Sequence, residues 1–261
     1  MKATSTVLVA ISSGIVASFF MLPINARNQG PTSLPLNVES QSSVVQPSEK
    51  TVGAVNGFVD FDPQAKPYAY LASAAIWKWP AGAKKKIFVC WENPTNSNAA
   101  GRTLVEESIK KSWQGQSELS FEGWQACAQG NYGIHIQIDD IGPHTKGLGR
   151  QLDRVKNGMV LNFTFRNWSP VCARSQSAMN SCIRSIAVHE FGHALGFAHE
   201  QNRYDAPGEC GSMRQGSNGD LLLTPYDPKS VMNYCNETYN NNGELSENDR
   251  AALISVYGAP R

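Results

Sequence analysis

Residues 189–199, HEFGHALGFAH, restrict what this chain can fold into more than any other stretch. His189 and His193 are four positions apart, so on a helix both imidazoles leave one face and can hold one ion. Glu190 stands about 100° further round, a poor position for a third ligand. Its carboxylate can still reach a water on that ion, which is the place of a general base. His199 follows His193 by six residues, about 240° round an unbroken helix, and would point away from the ion. The helix therefore has to stop between them. Gly196 stands where a left-handed C-terminal turn would stop it, because glycine has no Cβ to oppose a positive φ. The chain can then double back and bring His199 to the ion. Three neutral imidazoles leave a fourth tetrahedral position for water, the layout of a catalytic zinc site rather than a closed structural one.

The spacing His189-Glu190-x-x-His193-x-x-Gly196-x-x-His199 resembles the metzincin signature, and Glu200-x-x-Arg203-x-Asp205 resembles its extended astacin form. Downstream, Ser230-Val231-Met232-Asn233-Tyr234 is similar to the astacin Met-turn and its following tyrosine. The resemblance implies an α+β fold. Its parts would be a twisted mixed β-sheet with two long helices in an upper lobe, and an irregular lower lobe ending in a C-terminal helix. It further implies a zinc endopeptidase acting on protein or peptide substrates, with His189, His193 and His199 on Zn2+ and Glu190 as general base and acid. Tyr234 would be a second catalytic residue, donating to the oxyanion, and Met232 a packing platform beneath the metal. Glu200 matches the family glutamate that engages the mature N-terminus, but an ion pair with Arg203 is an equal reading. A noncatalytic zinc-binding recognition module on the same fold is the alternative, and the retained Glu190 argues against it.

The chain has 261 residues and a formal net charge of +1, which gives no electrostatic case for nucleic acid. Lys84-Lys85-Lys86 is read as a solvated turn before a strand. Residues 1–26 carry Lys2, an apolar run from Val7 to Leu22 and a small-residue site around Ala26, the pattern of a secretory signal peptide. The run is short for a bilayer span. A secreted, extracellular or periplasmic protein with no stable membrane association is therefore expected. Residues 27–75 read as a pro-segment or flexible linker, within which Asp60 or Asp62 is a candidate latency switch, and 76–261 as the catalytic domain. Export makes the six cysteines disulfide candidates. Many pairings are open; neighbours in order would give 90–127, 172–182 and 210–235.

Within the domain, Ile87 to Trp91 reads as a buried strand and Phe121 to Trp124 as a short one. Thr103-x-x-Glu106 reads as a capping box opening a helix that runs to about Trp113 with Leu104, Ile109 and Trp113 inward. The alternation Ile134-x-Ile136-x-Ile138 predicts a half-buried strand with His135 and Gln137 on the solvent side. His144 is placed in a loop, and an edge strand able to pair with extended substrate somewhere in residues 145–152. Met159 to Phe165 is the next strand. The metal-binding helix is placed from about Met179 to Leu195 or Gly196. Ser246-x-x-Asp249 opens a final helix with Leu253, Ile254 and Tyr257 on one face and Gly258 at its end.

Overall fold

The computed structural model describes residues 69–261. The signal-peptide reading, most of the 27–75 segment and both candidate latency aspartates lie outside the described residues. Seven strands and five helices follow in chain order: β1 (Tyr70–Leu71), β2 (Lys85–Trp91), α1 (Ala99–Ile109), β3 (Leu119–Ala126), β4 (Ile134–Ile138), β5 (His144–Thr145), β6 (Met159–Leu161), α2 (Pro170–Ala173), α3 (Gln176–Ala194), α4 (Gly208–Gly211), β7 (Leu221–Leu222) and α5 (Glu247–Tyr257). Five of the strands form one sheet in the order β3-β2-β4-β6-β5. All its pairings are parallel except that of β5, which runs antiparallel to β6 at the edge. The expected α+β mixed sheet with two principal helices is present, and beyond α3 the chain is mostly turns until α5.

One apolar core lies between the sheet and the helices α1 and α3. Ile87, Val89 and Trp91 on β2, with Ile134 and Ile136 on β4, meet Val105, Ile109 and Trp113 from the first helix. Phe191 of α3 stacks on Trp124 at 5.7 Å and meets Phe121 edge-on at 5.3 Å. Such aromatic pairs add about 0.5–1.5 kcal/mol each beyond their buried area. Trp113 reaches the core through a π-helical turn, Lys110–Gln114, that continues α1, and its indole Nε1 donates to the Val188 carbonyl of α3 at 2.7 Å. The two helices are therefore pinned by a polar bond as well as by packing.

Several local readings need correction. Helix α1 begins at Ala99, not at a capping box on Thr103. Asn98 Oδ1 accepts from Thr95 N and Arg102 Nε, closing a turn that starts the helix early. The inward stripe is Val105, Ile109 and Trp113, a four-residue step, and Leu104 only flanks it. Strand β6 stops at Leu161 instead of Phe165 because Asn162 Oδ1 accepts from Thr164 N and Phe165 N and bends the chain. His135 is buried, not solvent-facing: Nδ1 meets Glu92 Oε1 at 3.0 Å and Nε2 the Asn131 carbonyl at 3.1 Å. His144 lies on the edge strand itself, and Gly149–Leu152 is a 3-10 turn. Helix α3 starts three residues early at Gln176, where Ser175 Oγ accepts from Ala178 N. On α5 the inner face is Ala252, Leu253 and Tyr257, while Ile254 points outward.

Ala69 to Ala75, placed in the linker by composition, pack into the domain. β1 pairs antiparallel with β7, and the Leu71 carbonyl accepts from Asp220 N. All three neighbour-in-order disulfides are formed, Cys90–Cys127, Cys172–Cys182 and Cys210–Cys235. Among the described residues no helix is long and apolar enough to cross a membrane.

Candidate active site

Helix α3 ends in the way Gly196 requires. Gly196 N donates to the His193 carbonyl and Phe197 N to the Gly192 carbonyl, the paired bonds of a Schellman motif, with Gly196 at φ 96°. Two side chains from distant parts of the chain close the remaining carbonyls. Trp77 Nε1 donates to Ala194 O at 2.8 Å and the Tyr257 hydroxyl to Leu195 O at 2.6 Å. After this reversal His199 returns to the other two histidines. His199 Nε2 lies 3.2 Å from His189 Nε2 and 3.1 Å from His193 Nε2.

The opposite ring nitrogens set the tautomers. His189 Nδ1 faces the Val231 carbonyl at 2.8 Å, His193 Nδ1 that of Phe197 at 2.8 Å, and His199 Nδ1 that of Gln215 at 2.9 Å. A carbonyl only accepts, so each Nδ1 carries the proton and each Nε2 presents a bare lone pair. Three lone pairs converging without a proton between them repel unless a cation sits among them. Tetrahedral Zn–N bonds of about 2.0–2.1 Å would set the nitrogens about 3.3 Å apart, close to the spacing found. The donor set therefore fits zinc. Burial and the neighbouring His199 push the His189 imidazole down to about 3, and burial pushes His193 well below its ordinary value. Neutral imidazoles are the form a metal needs.

Glu190 lines the same cleft and is buried, with Oε2 free of any hydrogen-bond partner. Burial pushes its carboxyl up to about 8; a cation on the adjacent tripod would draw it back down. Tyr234 stacks on His189 at 5.0 Å and lies 4.6 Å from the His199 ring, and burial raises its phenol. The cleft, about 220 Å³, is lined by His144 to Leu148 and by Gln215, Gly216 and Ser217.

Beneath the tripod, Met232 packs against Gly192 so closely that a Cβ there would lie 2.3 Å from its Sδ and 3.0 Å from the Trp113 ring. The Gly192→Ala variant should lose about 1–3 kcal/mol through overpacking, read as a lowered Tm with the same far-UV CD spectrum. Sequence reasoning singled out Met232 but missed what fixes the Met-turn. Asp249 of α5 accepts from Ser230 Oγ at 2.7 Å and from Val231 N at 2.8 Å, while also closing the capping box with Ser246. The visible signal was that box, whose aspartate turns out to serve two segments. Glu200 pairs with Arg203 at 3.3 Å in the buried interior, the ion-pair reading of this glutamate.

Comparison with known proteins agrees with this geometry. Residues 173–208 match the family model for the astacin peptidases. Among solved structures, myroilysin superposes with a TM-score of 0.50 at 20% identity, over 74% of this chain and 99% of that one. A hatching enzyme zinc-protease of the medaka fish Oryzias latipes, high choriolytic enzyme 1, gives 0.46 at 18% identity over 75% and 100%. An archaemetzincin from Methanopyrus kandleri gives 0.38 at 12% over 67% and 96%. No curated protein matches the chain. The segment that carries the histidines thus matches the astacin peptidase model, and the fold that holds it is similar to that of myroilysin.

Proposed function

We propose that this protein is a secreted endopeptidase that hydrolyses peptide bonds in protein or peptide substrates, with zinc on His189, His193 and His199. The observation that carries the reading is the convergence of three Nε2 lone pairs beside an unpartnered buried carboxylate oxygen of Glu190. Zinc, when bound, supplies Lewis acidity to the scissile carbonyl and acidity to its water. Glu190 takes the proton of the attacking water at Oε2 and later delivers it to the leaving amine. The Tyr234 hydroxyl donates to the oxyanion as charge develops there. The edge strand β5 offers extended substrate a row of backbone partners on one wall of the cleft. Secretion is supported by the signal-peptide pattern of residues 1–26 and by three disulfides, which persist in oxidising compartments.

The test is zinc content and turnover of a quenched peptide or casein by the purified chain. One equivalent of zinc with chelator-sensitive turnover supports the reading; zinc binding without turnover favours a recognition module. For Tyr234, the phenylalanine variant should keep its zinc and lose kcat by about 10²- to 10³-fold with little change in KM, since one oxyanion donor is worth about 2.7–4 kcal/mol. Full turnover in Tyr234→Phe would leave the ring as packing alone.

A further inference from the structure

The third histidine and one wall of the cleft hang from the same side chain. Asn202 lies three residues after His199, in the 3-10 turn Glu200–Asn202, and is buried. Its Nδ2 donates to the Gln215 carbonyl at 2.8 Å, to Asn218 Oδ1 at 3.1 Å and, at longer range, to the Ser217 carbonyl at 3.4 Å. Its Oδ1 accepts from Gln215 N at 3.0 Å. The Gln215 carbonyl is the acceptor that holds His199 Nδ1 at 2.9 Å. Its two lone pairs are thus shared between the imidazole and the Asn202 amide. Among the described residues, every hydrogen bond made by residues 215 to 218 goes to His199 or Asn202.

The loop also packs against the histidine ring. Gly216, at φ 70°, passes so close that a Cβ would stand 3.3 Å from His199 Nδ1. Gln215, Gly216 and Ser217 also line the cleft, as β5 does. A side-chain amide is suited to this place because it alone offers a donor to two carbonyls and an acceptor to an N–H in one plane.

Resting on the zinc-peptidase reading above, we propose that Asn202 is a positioning residue that couples the orientation of the third metal ligand to the substrate-facing wall 215–217. Loss of the amide frees the Gln215 carbonyl, so His199 loses its fixed tautomer and direction, and the wall loses its anchor at the same stroke. Partners that orient a ligand imidazole typically carry 10- to 100-fold in metal affinity. Asn202→Ala should weaken zinc by about that factor, measured against a competing chelator, and raise KM several-fold at saturating zinc while kcat changes less. A cobalt-substituted Asn202→Ala protein should also show an altered visible spectrum, which simple loss of stability would not produce.

Asn202→Asp keeps the shape and the acceptor but sets an oxygen against the Gln215 and Ser217 carbonyls; it should weaken zinc as well, and it decides the matter should the alanine variant misfold. Zinc affinity within twofold of wild type in the folded variants, with an unchanged cobalt spectrum, would overturn the proposal. Absence of zinc binding by the wild type would instead remove the reading on which it rests.

Discussion

Glu190→Gln should bind zinc as the wild type does and hydrolyse peptides about 10²- to 10⁴-fold more slowly, the usual weight of a positioned general base. The glutamine is isosteric, so the buried cleft is not repacked, and the tripod does not use this side chain. The decisive feature is that Oε2 is buried with nothing bonded to it. A polar atom in that state costs about 1–3 kcal/mol. An ordinary structural carboxylate would have found a donor. An amide in its place can accept a hydrogen bond from water but cannot take the proton. The loss should therefore fall on kcat, with KM nearly constant. Glu190→Ala would confuse the result by opening a cavity. Equal kcat in wild type and Glu190→Gln, both zinc-loaded, would end the assignment of this carboxylate as base.

The parts of this site that were legible in the sequence are those where chemistry depends on short spacings. The four-residue step from His189 to His193, the helix stop at Gly196 and the capping box at Ser246 and Asp249 are all local, and each is found as the spacing requires. The parts that were not legible depend on partners far along the chain. The Val231 and Gln215 carbonyls that fix two tautomers lie 42 and 16 residues from their histidines. A backbone carbonyl has no residue-type signature, so nothing in the composition points to it. Trp77 and Tyr257, which close the end of α3, are 117 and 62 residues from the carbonyls they serve. Where a local pattern misled, a competing short-range bond had won. Asn98 started α1 ahead of the Thr103 box, and Asn162 ended β6 before the apolar run was exhausted. His135 alternates as a solvent-side residue should, but Glu92 and the Asn131 carbonyl cover it from neighbouring segments.

Arg203→Ala should destabilise the domain by about 3–5 kcal/mol, the range for breaking a buried ion pair by removing one member. The Arg203 side chain is 1% exposed, and its guanidinium ties residues 200–205 to Thr224. Nε and Nη2 grip Asp205 in a fork at 2.7 and 2.8 Å, Nη2 also donates to the Thr224 carbonyl, and Nη1 pairs with Glu200 at 3.3 Å. Thr224 in turn receives Ala69 N on its hydroxyl, so the segment around β1 is tied to the same group. Arg203→Lys should recover only a minority of the loss, because a single ammonium cannot reproduce the planar fork.

The pH dependence distinguishes a lost charge partner from lost packing. Burial pushes the Glu200 carboxyl from its ordinary 4.5 up to about 8, against the downward pull of Arg203 and of the Asp227 amide; the variant loses the first of those pulls, so its carboxyl is pushed up further. The folded variant then holds that proton more tightly than the unfolded chain does. Both proteins lose stability as pH rises from about 4.5, but the wild type stops losing it near about 8 while the variant goes on. Urea unfolding of wild type and Arg203→Ala should therefore show a deficit that is level up to about pH 8 and widens above it. A deficit that stays level above about pH 8 as well would mean that the guanidinium acts here as filler, and that Glu200 has no need of its charge.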